Sequence, residues 1–405
     1  MPIMNDPRDS SDDPAQGDQD NEEIELDEDD IEEIIELDDD PNGDMIGEME
    51  DMELQGAEAA EPERDDAKIV FSKHTGSVFC ISANPADNST VVTGGEDDKA
   101  YVWNMGDGSV YLECTGHKDS VTSASFSHDG KYIATGDMSG LLQVWNVAKK
   151  ESVWNFEMGD MEWMDWHPGA SVLLAGSSDG EMWMWKIPSG DTKTFQSHGV
   201  ACNVAKVLPN GKHACAGYND GVMKIWDLKS GSAVHSVTGH LAHSDGITSM
   251  DVHKTESLVA TGSTDVTAKL TNTTNGKVVA TFNCSNSEED EDSVEAVGFA
   301  NGSNLLATGT LSGVLTLWDI PTQTARHQCK HEAGIVRLQW HETNPVVYTC
   351  TLDGVINIWD SRTGNLERQL LGHSLEILDL HLLRNNSHIL TASGDSTARV
   401  FQLNS

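Results

Sequence analysis

Six histidines in this 405-residue chain stand 22 or 23 residues ahead of a recurring turn position. His74, His117, His198, His243, His331 and His373 precede Asp97, Ser139, Asp220, Asp265, Asp353 and Asp395, and a threonine recurs four residues before that position at Thr93, Thr135, Thr261, Thr308, Thr349 and Thr391. Imidazole beside carboxylate and hydroxyl is the raw material of proton transfer and nucleophile activation. An active site occurs once, however, and this set recurs along the chain. Its recurrence points to a buried hydrogen-bonded chain that stiffens a repeating unit: the carboxylate accepts from imidazole and turn amides, and an indole six residues further on donates to the hydroxyl. The units opening at His74 and His331 carry the whole set. No nucleophile elbow, P-loop, zincin or dinucleotide fingerprint stands in a supporting context. Asp165-Trp166-His167-Pro168 is the one local acid/base candidate, and the Pro-Gly turn that follows reads as a corner between strands. No catalytic residue, metal set or cofactor is therefore assigned.

The elements that would hold such units follow from the aromatic position. Trp103, Trp145, Trp185, Trp226, Thr271, Trp318, Trp359 and Phe401 succeed one another at steps of 40 to 47 residues. That period, with four short strands per unit, is the WD40 signature of a β-propeller. In the second unit Val121–Phe126, Tyr132–Thr135 and Leu141–Trp145 read as strands between turn-forming His128-Asp129-Gly130 and Ser139-Gly140, and Glu151–Phe156 as the outermost strand. The last unit lacks sequence for a fourth strand after Ala398–Leu403. Lys68–Ser72 is a strand-like run with no unit of its own, and pairing it with Ala398–Leu403 would close the ring and remove an open edge. The expected fold is all-β, an eight-bladed WD40 propeller over residues 67–405, closed by an N-terminal strand.

Composition sets residues 1–66 apart. They hold 29 Asp or Glu against Arg8 and Arg64, a net of −27 out of the −42 of the whole chain. Such self-repulsion with little apolar content predicts a disordered acidic tail. Within it Ile31, Ile34 and Ile35 fall at helical spacing among carboxylates, a short partner motif or part of a solvated tail. The seven cysteines are scattered with no C-x-x-C pair, which suits a reducing compartment. With no signal-like start and no apolar run of membrane length, a cytoplasmic, and also nuclear, monomer is expected.

A propeller presents one face as a shallow funnel, built from the loops entering each first strand and the turns joining strands two and three. Here that face is acidic. Glu96, Asp119, Asp160, Glu162, Asp245, Asp292, Glu332 and Glu376 fall in those loops, and Glu288–Asp292 is a run of five carboxylates. A negative concave surface attracts a Lys/Arg-rich protein segment and disfavours nucleic acid. Trp163, Trp166 and Trp183 read as blade packing rather than an aromatic binding patch. Trp359-Asp360-Ser361-Arg362 matches the W-D-x-R motif of adaptor-binding propellers, which keeps a ubiquitin-ligase substrate receptor among the alternatives.

Several stretches are more specific than the blade pattern. HTGSVFC from His74, VTGGEDDKAYVW from Val92, GHKDSVT from Gly116, IATGDMSGLLQVW from Ile133, WMDWHPGASVLLAG from Trp163, GHSLEILD from Gly372 and IEEIIEL from Ile31 resemble the angio-associated migratory cell protein family over nearly the whole chain. The resemblance implies a non-enzymatic protein linked to cell migration and angiogenesis, a signalling scaffold in that reading. Fungal relatives are propellers that chaperone a basic ribosomal protein, which implies a nascent ribosomal protein as partner and a part in ribosome biogenesis. For the heparin binding credited to vertebrate members, this chain offers no basic cluster beyond the Lys149-Lys150 pair.

Overall fold

The computed structural model describes residues 62–285 and 292–403. Within them the strands form eight four-stranded antiparallel sheets, each built from strands in chain order except the last. The Ile31, Ile34 and Ile35 motif, the remainder of the tail before residue 62 and most of the Glu288–Asp292 run lie outside the described residues. Among the described residues no helix is long and apolar enough to cross a membrane.

The first strands of the blades are Val78–Ala83, Val121–Phe126, Met161–Trp166, Cys202–Val207, Ile247–Val252, Val294–Phe299, Ile335–Trp340 and Ile377–Leu382. They line the central channel, and each buries its first residue behind a bulge in the pairing with the second strand. Such a bulge turns the next side chains toward the channel mouth.

Blade eight is completed as expected. Ala67–Phe71 pairs antiparallel with Ala398–Gln402, Phe71 opposite Ala398 and Ala67 opposite Phe401. The seal extends further back than residue 67. Asp66 N donates to Leu371 O at 2.8 Å, and Leu371 N donates to the Asp66 carboxylate at 2.9 Å. Asp65 pairs with Arg399, so residues 64–66, assigned to the tail on composition, dock onto the propeller. Phe71 stacks on Trp103 with ring centres 4.6 Å apart and planes 6° from parallel.

The described residues do not share a single core. Among them, eight clusters of buried side chains each occupy one junction between neighbouring blades. Each aromatic of the repeat faces the preceding blade: Trp103 packs at the junction of blades eight and one, Trp226 at three and four, and Phe401 at seven and eight. Stability is thus spread over eight interfaces and depends on ring closure. All seven cysteines are free and buried, and burial pushes the Cys284 thiol up to about 11.

The histidine network forms, with local differences. His74 Nδ1 donates to Asp97 at 2.8 Å while its Nε2 accepts from Thr93 at 2.9 Å, and His243 and His373 repeat the arrangement with Asp265/Thr261 and Asp395/Thr391. The indole does not complete the chain in blade one, as Trp103 Nε1 has no partner among the described residues while the Thr93 hydroxyl is engaged by His74. In blade six, which has no such histidine, Thr308 is free to accept from Trp318 at 2.9 Å. Blade seven departs as well. His331 Nδ1 donates to Gly313 O, Trp359 donates to His331 Nε2, and Asp353 is held by Thr351 instead.

The candidate binding face

Eight equivalent backbone hydrogen bonds organise the funnel face. In each blade the first residue of the turn between strands two and three donates to a carbonyl in the loop entering the first strand: Glu96 to Ser77, Met138 to Ser120, Ser178 to Asp160, Asn219 to Ala201, Thr264 to Gly246, Leu311 to Ser293, Leu352 to Gly334 and Gly394 to Glu376. This ring fixes three registers of side chains around the mouth: the turn residue, the loop residue with its neighbours, and the second residue of the first strand.

Seven of the eight predicted carboxylates lie in these registers and the eighth, Glu332, stands two residues before the loop residue Gly334, with unequal freedom. Asp119, Asp160, Glu162, Asp245 and Glu332 are exposed. Asp119 and Asp245 each accept from the following amide at 2.7 Å, which fixes their direction without covering them. Glu96 is tied back, its Oε2 accepting from Ser77 N at 2.9 Å, and that bond holds its carboxyl below the usual range. Glu376 lies against Gly394, where a Cβ would come within 2.3 Å of its Oε1.

Asp292 has a structural task. It accepts from Ser312 N at 2.9 Å and from Ser312 Oγ at 2.7 Å, clamping the turn whose aspartate is replaced by serine in this blade. The carboxylate has moved to the loop and the hydroxyl to the turn.

At the mouth Asp160 and Glu162 reinforce each other. Although the Glu162 side chain reaches solvent, its partial desolvation against the channel wall raises its pKa, and the Asp160 charge adds to the shift. Two lysines on the same face are drawn outward, Lys99 to Glu113 at 2.8 Å and Lys118 to Glu157 at 2.9 Å. Their charges are spent on the outer strands, leaving the mouth negative.

Below the mouth the channel opens into a cavity of about 700 Å³ that sequence reasoning missed. Glu295, at the same first-strand position as Glu162, lines it, as do Asp165, Lys206, Asp251, Arg337 and Asp379. The cations sit near anions, Lys206 3.6 Å from Asp165 and Arg337 3.8 Å from Asp379. These groups also serve the exposed inner edge of the ring. Asp379 accepts from Ile81 N at 3.0 Å, Asp251 from Phe299 N at 2.8 Å and Gln339 from Leu382 N at 2.6 Å, each satisfying an amide of the next blade. An inner strand has no partner on its channel side, so its amides need such acceptors or water. The signal available in the sequence was the inward-facing positions of the first strands, read together around the ring.

His167 and the tryptophans make structural contacts. His167 joins Nε2 to Gly211 O at 2.9 Å at a blade corner. Trp163 and Trp166 are buried, donating to Cys202 Sγ and Ser125 O, and Trp183 stacks on Trp185 with planes 3° from parallel. The Arg362 guanidinium folds back on Asp360 at 2.8 and 3.0 Å.

A closed ring of eight WD-type blades with a loop-built funnel and a wall of mutually satisfied charges defines a WD-repeat protein-binding module. The WD domain, G-beta repeat family matches residues 67–104, 108–146 and 190–227, and the nucleolar protein 10-like N-terminal domain matches residues 236–403. The chain is 47% identical to the human angio-associated migratory cell protein over 399 residues, covering 91% of this chain and 92% of that protein. It belongs to the angio-associated migratory cell protein family. A more distant relative is the ribosome assembly protein SQT1 of Saccharomyces cerevisiae, 25% identical over 89% of this chain and 93% of that one. The structure of Chaetomium thermophilum Sqt1 bound to the N-terminus of the ribosomal protein L10 superposes with a TM-score of 0.75, at 22% identity, over 84% of this chain and all of that one.

Proposed function

We propose that this propeller is a chaperone or adaptor that captures a Lys/Arg-rich protein segment on its acidic funnel, and that the segment belongs to a ribosomal protein met in the cytoplasm. The observation that carries the proposal is the gathering of exposed Asp119, Asp160, Glu162, Asp245 and Glu332 around one mouth while Lys99 and Lys118 are paired away from it. A cationic segment free in a cell meets RNA and other polyanions, and a negative funnel masks it by complementary potential. The kinship to a ribosome assembly protein, and the ribosomal-protein segment held by the fungal propeller of the same fold, support the reading. No observation favours a migration scaffold or a ligase receptor in the same way.

The test is a triple variant, Asp119→Lys/Glu162→Lys/Asp245→Lys, which spares the clamp at Asp292. Affinity for a basic ribosomal-protein peptide should fall at least about tenfold, and wild-type binding should weaken by a similar factor between about 50 and about 200 mM salt. Equal affinity of variant and wild type at low salt would sink the proposal.

A further inference from the structure

We infer that the funnel reads two chemistries at once, so that the segment it holds carries apolar side chains beside its cations. The inference rests on the basic-segment reading and adds an apolar arc to it. Around the mouth the three registers do not stay acidic. The first-strand position that holds Glu162 and Glu295 in blades three and six is Val336, Leu378 and Phe79 in blades seven, eight and one. These three are partly buried at the mouth, Val336 packing against the junction of blades seven and eight. On the rim outside them the turn residues of blades six and seven are Leu311 and Leu352, 46% and 42% exposed, and the loop of blade eight carries Leu375 at 39%.

The arc is built rather than scattered. Gly334 forms its floor: a Cβ there would lie 2.4 Å from Leu311 O, 3.1 Å from Leu352 Cδ1 and 3.2 Å from Leu311 Cδ1. Only the missing side chain lets the two leucines converge above the loop. Leu375 belongs to the neighbouring loop, its carbonyl 2.7 Å from where a Cβ on Gly354 would sit. Exposed large apolar side chains clustered on a loop face mark an interaction surface more often than a solvated one.

Charge complementarity identifies the occupant. Glu332 follows the histidine of blade seven, Glu376 sits one residue from Leu375, and the carboxylates of blades two, three, five and six lie across the mouth from the arc. A wholly apolar partner would strand those charges, and an acidic one would be repelled. The chain's own Ile31, Ile34 and Ile35 stand among Glu32, Glu33 and Glu36 and are excluded by the same repulsion. A segment with Lys or Arg flanking one or two large apolar residues satisfies both halves: cations over blades two, three, five and six, apolar side chains over blades six to eight and one.

Two labelled peptides of about ten residues separate this inference from the reading beneath it. One is of lysine and arginine with one leucine and one tyrosine; its counterpart has serine at both apolar positions. Full-length wild type should bind the first about tenfold more tightly, and Leu352→Ser/Leu375→Ser should bind both alike while keeping wild-type affinity for the serine peptide. Both substitutions are at exposed positions, and matching circular dichroism spectra check the fold. Equal affinity of wild type for the two peptides would overturn the apolar arc and leave basic-segment capture standing. A variant that weakens both peptides equally would overturn it too. Binding of neither peptide at low salt would remove both proposals. A wild-type dimer seen by sedimentation velocity and abolished in the variant would assign the arc to a second copy and overturn its role in peptide capture.

Discussion

Asp137 Oδ2 lies 3.0 Å from Nδ1 of His117, both side chains fully buried, and it gets there from a position two residues before the turn slot that aspartate holds in the neighbouring blades. The slot itself is Ser139, whose hydroxyl donates to the other oxygen of Asp137 at 2.7 Å. The amides of Lys118 and Leu141 complete the shell. Blade two has kept the network and moved its acid.

Burial alone would raise the Asp137 pKa, but these donors hold it below the ordinary carboxylate range. Removing it strands a buried imidazole and two amides. Asp137→Ala should therefore cost about 2–4 kcal/mol, whereas Ser139→Ala should cost about 1. Urea unfolding checks both, and equal losses would mean that the slot rather than the acid matters.

The same network sets the response to acid. Burial depresses the pKa values of His117, His331 and His373 below their unfolded value, so these groups favour the fold above that value and oppose it as pH falls below about 6.5. Asp265 and Asp395, also depressed, hold their contribution above the unfolded carboxylate pKa and lose it at lower pH still. Stability should decline in two stages. His373→Gln should lower stability at pH 7 and flatten the stage between about pH 6.5 and about 4.5, seen in urea midpoints against pH.

Ring closure makes Phe71 a sensitive position. Its ring is 2% exposed and stacked on Trp103, so Phe71→Ala leaves a cavity at the junction of blades eight and one and should cost about 3–5 kcal/mol. Val70→Ala, at an exposed site on the same strand, should cost about 1 or less by thermal or urea melts.

Peptide binding should carry a pH signature from Glu162. Its raised pKa means that it takes up a proton at a higher pH than an ordinary glutamate does as the solution is acidified. Affinity for a basic peptide should fall about two- to fivefold between about pH 7 and about 5, and Glu162→Gln should show weaker binding at pH 7 with a flatter profile. Isothermal titration at several pH values decides this; parallel profiles for wild type and variant would assign the dependence elsewhere.

The fold was legible because its signals are local and repeated. The aromatic spacing set the blades, and the missing last strand required a partner from the start of the propeller, expected at Lys68–Ser72 and found at Ala67–Phe71 against Ala398–Gln402. The mouth carboxylates were legible because their loops follow from the same spacing. What stayed hidden depends on who meets whom across the ring. Asp292 reads as one more funnel acid until Ser312 is seen beneath it. Asp251 and Asp379 look like isolated strand acids until the amides of Phe299 and Ile81 appear opposite. Nor does any spacing reveal that Leu311 and Leu352, 41 residues apart, converge above Gly334.

The strand at Ala67–Phe71 waits more than three hundred residues for its mate at Ala398–Gln402. Until then the Trp103 side of blade one has no cover, and seven blades can stack without yielding a finished wheel. Among the described residues this is a contact of very long range, and it is the one that completes the ring, so a chain cut short before its final strand is left with both ends of the stack open to aggregation.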